Sequence, residues 1–135
     1  MKICVSATAN SIDAQVDPRF GRCPYFVIVD SETLQFEAVP NVASGAMGGA
    51  GIQAAQTIAG KGAKVLITGN VGPNAFQALA AANMKVVVGA SGTVRQVVEK
   101  YKRGELKETG SATVSGHFGM GMGRGRGQGR RGFET

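Results

Sequence analysis

Short apolar runs separated by glycine-rich and helical segments constrain the fold of this 135-residue chain more than any other feature. Runs of about four to eight residues rich in valine and isoleucine are typical of strands buried on both faces of a sheet. They lie at 2–7 (KICVSA), 25–30 (YFVIVD), 64–68 (KVLIT) and 85–88 (KVVV). The alternating stretch 35–39 (QFEAV) follows a turn at 31–33 and predicts a hairpin partner nearer the sheet edge.

Helical spacing of apolar residues fills the intervals between the later strands. The predicted inner faces carry Ile52, Ala55, Ile58 and Ala59 in the first helix, and Phe76, Leu79 and Ala80 in the second. Gly60 ends the first helix, and Pro73 suits the first turn of the second. Ser91 or Thr93 caps a third helix that runs to Tyr101. The order β-β-β-α-β-α-β-α predicts an α/β domain in which a mixed five-stranded sheet lies between helices, a three-layer α/β/α sandwich.

The C-terminal part of the chain differs in composition from the rest. The chain has 21 glycines, and residues 116–132 read GHFGMGMGRGRGQGRRG. Such a stretch has too little apolar bulk to offset the entropy of ordering, so we expect a folded domain at 1–108 and a disordered tail at 109–135. The net charge is +6, and the arginines of the tail supply much of the excess. The tail could therefore contact RNA weakly, and its His117 could close over a bound metal.

The N-terminus and the cysteine count bear on localisation. The opening sequence, MKICVSATANSIDAQVDPRF, lacks the apolar core of a signal peptide, and no run reaches the roughly 18 apolar residues of a membrane span. Two cysteines, Cys4 and Cys23, do not make a secreted disulfide framework. We expect a cytoplasmic protein without membrane contact, with both thiols reduced.

The predicted topology indicates where a ligand would bind. Because each helix runs antiparallel to its strands in right-handed crossovers, the loops after the strands at 2–7, 64–68 and 85–88 should meet at one sheet edge. The glycine segment before the first helix should reach the same edge. Ligands bind at this edge in open α/β sheets, and three helix N-termini would present unpaired N–H groups and partial positive charge there. The sequence therefore predicts an anion site.

The segment 16–26 (VDPRFGRCPYF) supplies the strongest candidate site residues. Arg19 and Arg22 offer forked donors to an anion, and Gly21 gives the loop flexibility. Cys23, close to two guanidinium groups, should ionise readily and become a good metal ligand. The residues of this segment alone favour the alternative of a surface crossover with Phe20 tucked into the core.

Further candidates lie at the starts of the predicted helices. Gly48 and Gly49 could cradle an anion before the first helix, although close packing explains such glycines equally well. Asn70 and Asn74 could donate amides to a ligand, and helix capping is the alternative. Cys4 lies within an apolar strand, which predicts an inert core residue.

Three motifs occur in order along the chain: VDPRFGRCPYFVIVD at 16–30, GGAGIQAAQ at 48–56 and TGNVGPNAFQAL at 68–79. With them the chain resembles the dinitrogenase iron–molybdenum cofactor biosynthesis family, the domain type found as NifX and at the C-terminus of NifB. The resemblance implies a ribonuclease H-like fold and the binding of cofactor precursors. Nitrogen-fixation members have a histidine implicated in holding the cofactor where this chain has Arg19, which leaves Cys23 as the expected direct metal ligand.

The resemblance implies a non-catalytic protein that binds and carries an iron–sulfur or iron–molybdenum-type cofactor, or its precursor, and that meets cofactor-assembly proteins. A nuclease of ribonuclease H-like fold is the enzymatic alternative. Such a nuclease needs several carboxylates on the sheet, and the predicted strands at 2–7, 64–68 and 85–88 carry none. A nucleic-acid-binding module is the third possibility, and it depends on the charge of the tail.

Overall fold

The computed structural model describes residues 1–45, 49–110 and 112, and its elements follow the predicted order. The strands are β1 (Lys2–Ala7), β2 (Tyr25–Asp30), β3 (Phe36–Pro40), β4 (Val65–Ile67) and β5 (Lys85–Val87). The helices are α1 (Ala50–Gly60), α2 (Pro73–Ala81) and α3 (Val94–Lys102). The α/β class is therefore confirmed, with β3 shifted by one residue and β4 and β5 shorter than predicted.

One mixed sheet holds the strands in the order β3-β2-β1-β4-β5. β1 pairs antiparallel with β2, where Ala7 lies opposite Tyr25, and parallel with β4, where Val5 lies opposite Ile67. β3 extends the antiparallel half and β5 extends the parallel half. The predicted mixed five-stranded sheet is confirmed. Because β1, β4 and β5 are parallel, their carboxyl ends share one edge of the sheet.

Alternate strand residues face opposite sides of the sheet and pack against different helices. One face forms an apolar cluster with α1 and α2, which includes Cys4, Phe26, Leu66, Ile58 and Leu79. The other face forms a cluster with α3, which includes Val5, Val27, Ile67, Val94 and Val97. Full burial of a side chain such as Leu79 contributes about 1.5–3 kcal/mol, so these two clusters fix the helices on the sheet.

The buried faces of α1 and α2 differ from the prediction at one position in each helix. Ile52 is 36% exposed, and the buried residues of α1 are Ala50, Ala54, Ala55 and Ile58. In α2 Ala80 is exposed, and the buried residues are Ala75 and Leu79. The predicted inner positions Ile52 and Ala80 are therefore wrong. Small alanines occupy the first turns because the two helices approach each other closely there.

The chain continues along β5 after α3 ends. Glu108 bridges antiparallel to Val87, and the Thr109 N–H donates to the Val86 carbonyl at 2.7 Å. Most of the predicted tail, with His117 and the expected RNA contact, falls outside the described residues, and the boundary at 108 stays a prediction. No helix in the part that the structure describes is long and apolar enough to cross a membrane.

Candidate functional site

A cavity of about 260 Å³ lies between the first long loop and the starts of α1 and α2. Its wall is formed by residues 20–22 of the loop, 49–52 of the first helix start and 72–75 of the second. The predicted site residues in this lining are Phe20, Gly21, Arg22, Gly49 and Asn74. Three other predicted site residues lie outside this lining: Arg19, Cys23 and Asn70. Gly48 falls outside the described residues.

Both helices at the cavity begin without a side-chain cap. The N-cap of α1 is Gly49, whose φ of 74° lies in the left-handed region that glycine favours. The N-cap of α2 is Gly72, followed by Pro73 in the first turn, where a missing N–H removes no helical hydrogen bond. The first intrahelical bonds come from the N–H groups of Gln53 and Phe76. The N–H groups at 50–52 and 74–75 precede those bonds and can donate to a ligand.

Glycines allow the three walls of the cavity to touch. A Cβ placed on Gly51 would lie 2.8 Å from the Cβ of Ala75, so α1 and α2 meet at their first turns. A Cβ placed on Gly21 would lie 3.1 Å from the backbone N and Cα of Gly51, and Gly21 has a φ of 96°. Each helix start carries about half a positive charge, and their convergence favours an anion.

The start of α3 is closed and does not join the cavity. The Thr93 Oγ1 accepts the Gln96 N–H at 3.1 Å, and the Gln96 Oε1 accepts the Thr93 N–H at 2.9 Å. The next N–H group, that of Val94, donates to the Ala14 carbonyl at 2.9 Å. The expectation that a third helix start presents unpaired N–H groups to the ligand is therefore wrong, because the first loop and the capping box supply acceptors to α3. The cavity is lined by the starts of α1 and α2.

Arg19 binds Asp17 instead of lining the cavity. Its Nε and Nη2 donate to the two carboxylate oxygens of Asp17 at 3.1 and 2.9 Å. The Asp17 side chain is 3% exposed, and hydrogen bonds from Arg19 lower the pKa of this carboxyl. The ion pair fixes the turn beside Asn70, whose N–H donates to the Pro18 carbonyl at 2.8 Å. Of the two candidate arginines, Arg22 is the one in the cavity wall.

Arg22 is exposed at the cavity, and its Nη1 donates to the Ser44 carbonyl at 2.9 Å. Its backbone N–H donates to the Arg19 carbonyl at 3.1 Å, which closes the turn. Phe20, two residues before Arg22, anchors this turn because its ring centroid lies 5.5 Å from that of Phe26 in the core. The loop therefore presents a guanidinium group above an apolar anchor.

Cys23 lies in the same turn and is fully buried. It belongs to the apolar cluster of Phe20 and Phe26. Burial, followed by the charge of Asp17, raises the pKa of this thiol to about 12, although backbone N–H groups oppose the rise. The expectation that this thiol ionises readily is therefore wrong, because burial and the Asp17 carboxylate both disfavour the thiolate. Cys4 is fully buried as predicted, and burial raises its thiol pKa well above the usual value.

Asn41, whose side chain holds the turn at 21–23 by hydrogen bonds, was not identified from the sequence. This residue is 7% exposed, and its Nδ2 donates to the carbonyls of Gly21 and Cys23 at 3.0 and 2.9 Å. An asparagine directly after Pro40, the last residue of β3, was the available signal, but asparagine is also an ordinary turn residue. Over the described ranges, no group of three His, Cys, Asp or Glu side chains could hold a metal ion.

Comparisons with known proteins agree with the motifs. A family model described as dinitrogenase iron–molybdenum cofactor matches residues 1–104. The apo form of the orange protein from Desulfovibrio gigas is 46% identical with a TM-score of 0.81, covering 83% of this chain and 95% of that one. A Thermotoga protein described as a candidate NifB protein is 34% identical with a TM-score of 0.70, covering 79% and 91%. An uncharacterized protein of Methanocaldococcus jannaschii is 28% identical over 111 residues, which are 80% of this chain and 91% of that protein.

Proposed function

The chain belongs to the dinitrogenase iron–molybdenum cofactor family, and from this membership we propose that it binds and carries a metal–sulfur cofactor or its precursor without catalysing a reaction. The cargo is an iron–sulfur or iron–molybdenum-type cluster, exchanged with cofactor-assembly proteins in the cytoplasm. We also propose that the fold is a three-layer α/β/α sandwich of the ribonuclease H-like type. Helix packing on both sheet faces supports that description.

The observation that carries the proposal is a single cavity with two uncapped helix starts and one arginine in its wall. Helix starts and successive backbone N–H groups bind phosphates and iron–sulfur clusters because they present several donors to one anion. Arg22 adds a full positive charge to those donors. Phe20 gives the wall an apolar part, where hydrogen bonds to an anion are stronger than in water.

In this proposal the cluster is held by hydrogen bonds and charge. The described lining residues carry no thiol or imidazole, so the donors are the N–H groups at 50–52 and 74–75, the Asn74 amide and the Arg22 guanidinium. Direct ligation by Cys23 stays a prediction, and it requires the turn at 19–23 to open because this thiol is fully buried. Contacts from Arg19, Asn70 and Gly48 also stay predictions.

Anaerobic reconstitution with ferrous iron and sulfide tests the proposal. We expect the full chain to retain iron and sulfide after desalting and to show the absorption of a metal–sulfur chromophore. Arg22→Gln should weaken retention about tenfold or more, since a hydrogen bond to a charged group contributes about 1.5–3 kcal/mol. Arg95→Gln is the matched control, because Arg95 pairs with Asp13 at 2.9 Å and lies on α3, which packs on the other sheet face.

The two variants give different outcomes for different binding modes. Retention that falls for Arg22→Gln and not for Arg95→Gln places the cluster at the cavity. Equal losses in both variants would show that the iron is held by general positive charge on the surface. A wild-type chain that retains no iron or sulfide would contradict the proposed cargo.

A further inference from the structure

Asn41, the residue after β3, connects the turn at 21–24 to the segment that follows β3. Asn41 donates its own N–H to the Pro24 carbonyl at 2.9 Å. Its Nδ2 donates to the carbonyls of Gly21 and Cys23 at 3.0 and 2.9 Å, and its Oδ1 accepts the Ala43 N–H at 3.2 Å. Both hydrogens of the amide group are thus used within the protein, and the side chain has one orientation that satisfies all three contacts.

The carbonyls that Asn41 holds belong to the turn that forms the cavity wall. Gly21 has a φ of 96° and lies against Gly51 so closely that an added Cβ would be 3.1 Å from the Gly51 backbone. The position of the Gly21 peptide therefore determines how the loop meets the first turn of α1. A shift of this peptide would move the adjacent Arg22 relative to the N–H groups of α1 and α2.

The same residue also organises the acceptor that holds the Arg22 guanidinium. The Asn41 carbonyl accepts the Ser44 N–H at 3.2 Å, while Oδ1 accepts the Ala43 N–H, so the backbone at 41–44 forms a turn around Asn41. The Ser44 carbonyl in that turn accepts the Arg22 Nη1 hydrogen at 2.9 Å. Asn41 therefore controls both the backbone of Arg22 and the acceptor at the end of its side chain.

We propose that Asn41 is the positioning residue of the cluster site, acting through Gly21 and Arg22 without touching the cargo. This role rests on the proposed function. Removing the amide leaves two buried carbonyls without a donor, and the turn must shift to reach other donors or water. The cavity then loses the arrangement in which loop and helix donors point to one ligand, and affinity falls although the sheet and helices stay folded.

Two variants and one control separate positioning from general destabilisation. Asn41→Ala deletes the amide, and Asn41→Leu keeps a similar volume while removing every side-chain hydrogen bond. Val97→Ala creates a cavity in the α3 layer on the opposite face, where Val97 is fully buried, and leaves the loop untouched. The full-length proteins are reconstituted anaerobically with ferrous iron and sulfide at a temperature where all are folded by circular dichroism.

We expect both Asn41 variants to retain iron at least about tenfold less well than wild type, which corresponds to the loss of one to two buried hydrogen bonds. Val97→Ala should retain iron like wild type although its unfolding midpoint also falls. Hydrogen exchange in the protein without iron should rise at 19–24 and 42–45 in the Asn41 variants and stay unchanged in α3. Normal retention by Asn41→Leu, or an equal loss in Val97→Ala, would overturn the proposal.

Iron retention by the wild-type chain tests the proposed cargo, and hydrogen exchange tests the positioning role of Asn41 separately. If the wild-type chain retains no iron, the proposed cargo is wrong, and hydrogen exchange still decides whether Asn41 holds the turn. Unchanged exchange at 19–24 in both variants would overturn the positioning role by itself. Raised exchange together with lost iron retention supports both proposals.

Discussion

Cys23 should resist alkylation in the folded protein far more than a solvent-exposed thiol. Raising the pKa from the usual 9.0 to about 12 leaves roughly one thiolate in 10⁴ at pH 8, against roughly one in ten for an unperturbed thiol. Because the thiolate is the reactive form, the lower thiolate fraction alone slows the alkylation about 10³-fold. Complete burial slows it further, since the reagent must reach a side chain with no exposed surface.

The assay is a time course with iodoacetamide at pH 8, quenched and analysed by peptide mass spectrometry, which measures Cys4 and Cys23 separately. The same reaction in denaturant is the control, and both thiols should then react like those of a short peptide. In the native protein we expect both to stay unmodified over the time in which the denatured chain is fully alkylated. Both thiols are fully buried in one apolar cluster, so neither should react before the other.

Rapid modification of Cys23 in native protein, with Cys4 still protected, would refute this reasoning. It would show that the turn at 19–23 opens in solution, and Cys23 would then be accessible to a metal as the sequence predicts. Protection of both thiols in a chain that nevertheless binds iron would leave the helix starts and Arg22 as the binding groups.

Two further predictions concern stability. The free energy of unfolding should fall as pH rises above 9, because the pKa values of both thiols in the folded protein lie above the usual 9.0. Each thiol's contribution to the free energy of unfolding is full below pH 9 and is lost as the pH rises toward the folded pKa. From pH 8 to 10 the Cys23 thiol should remove about 1.4 kcal/mol from the free energy of unfolding in urea titrations, and Cys4 should act in the same direction. Cys23→Ala should therefore make this slope shallower, and an unchanged slope would contradict the assignment. Gly69→Ala should cost about 1–3 kcal/mol, because its Cβ would lie 2.6 Å from Pro18. Thermal unfolding measures the effect, and Gly60→Ala is the control because a Cβ at Gly60 meets nothing within 4 Å. Equal unfolding midpoints for the two variants would show that Pro18 moves aside without loss of stability.

The sheet was predictable because its signals are local. The apolar runs at 2–7 and 25–30 gave the bounds of β1 and β2 correctly, since burial on both faces leaves almost no polar position within the strand. Pro73 and the preceding glycine likewise placed the start of α2. Each of these signals depends on a few neighbouring residues, which a sequence displays directly.

The site was predictable only in part, because it depends on contacts between distant segments. The burial of Cys23 follows from the packing of its turn on Phe26 and the sheet, and this burial raises the thiol pKa although two arginines lie close in sequence. The closed start of α3 depends on an acceptor 80 positions earlier, the Ala14 carbonyl that binds the Val94 N–H. Asn41 was missed for the same reason, since its partners Gly21 and Cys23 precede it by an entire hairpin.

The two edges of the sheet differ in how readily a strand from another molecule could pair with them. The outer side of β5 is already paired with the chain itself, because Glu108 forms an antiparallel bridge with Val87. β3 has no such cover among the described residues, and its Phe36 is 45% exposed. Glu37 is held there by Lys61 at 2.8 Å, and Pro40 removes a backbone donor at the strand end. An incoming strand would have to bury this ion pair and leave an acceptor unmatched at the proline, so the short β3 edge protects the protein against edge-to-edge aggregation.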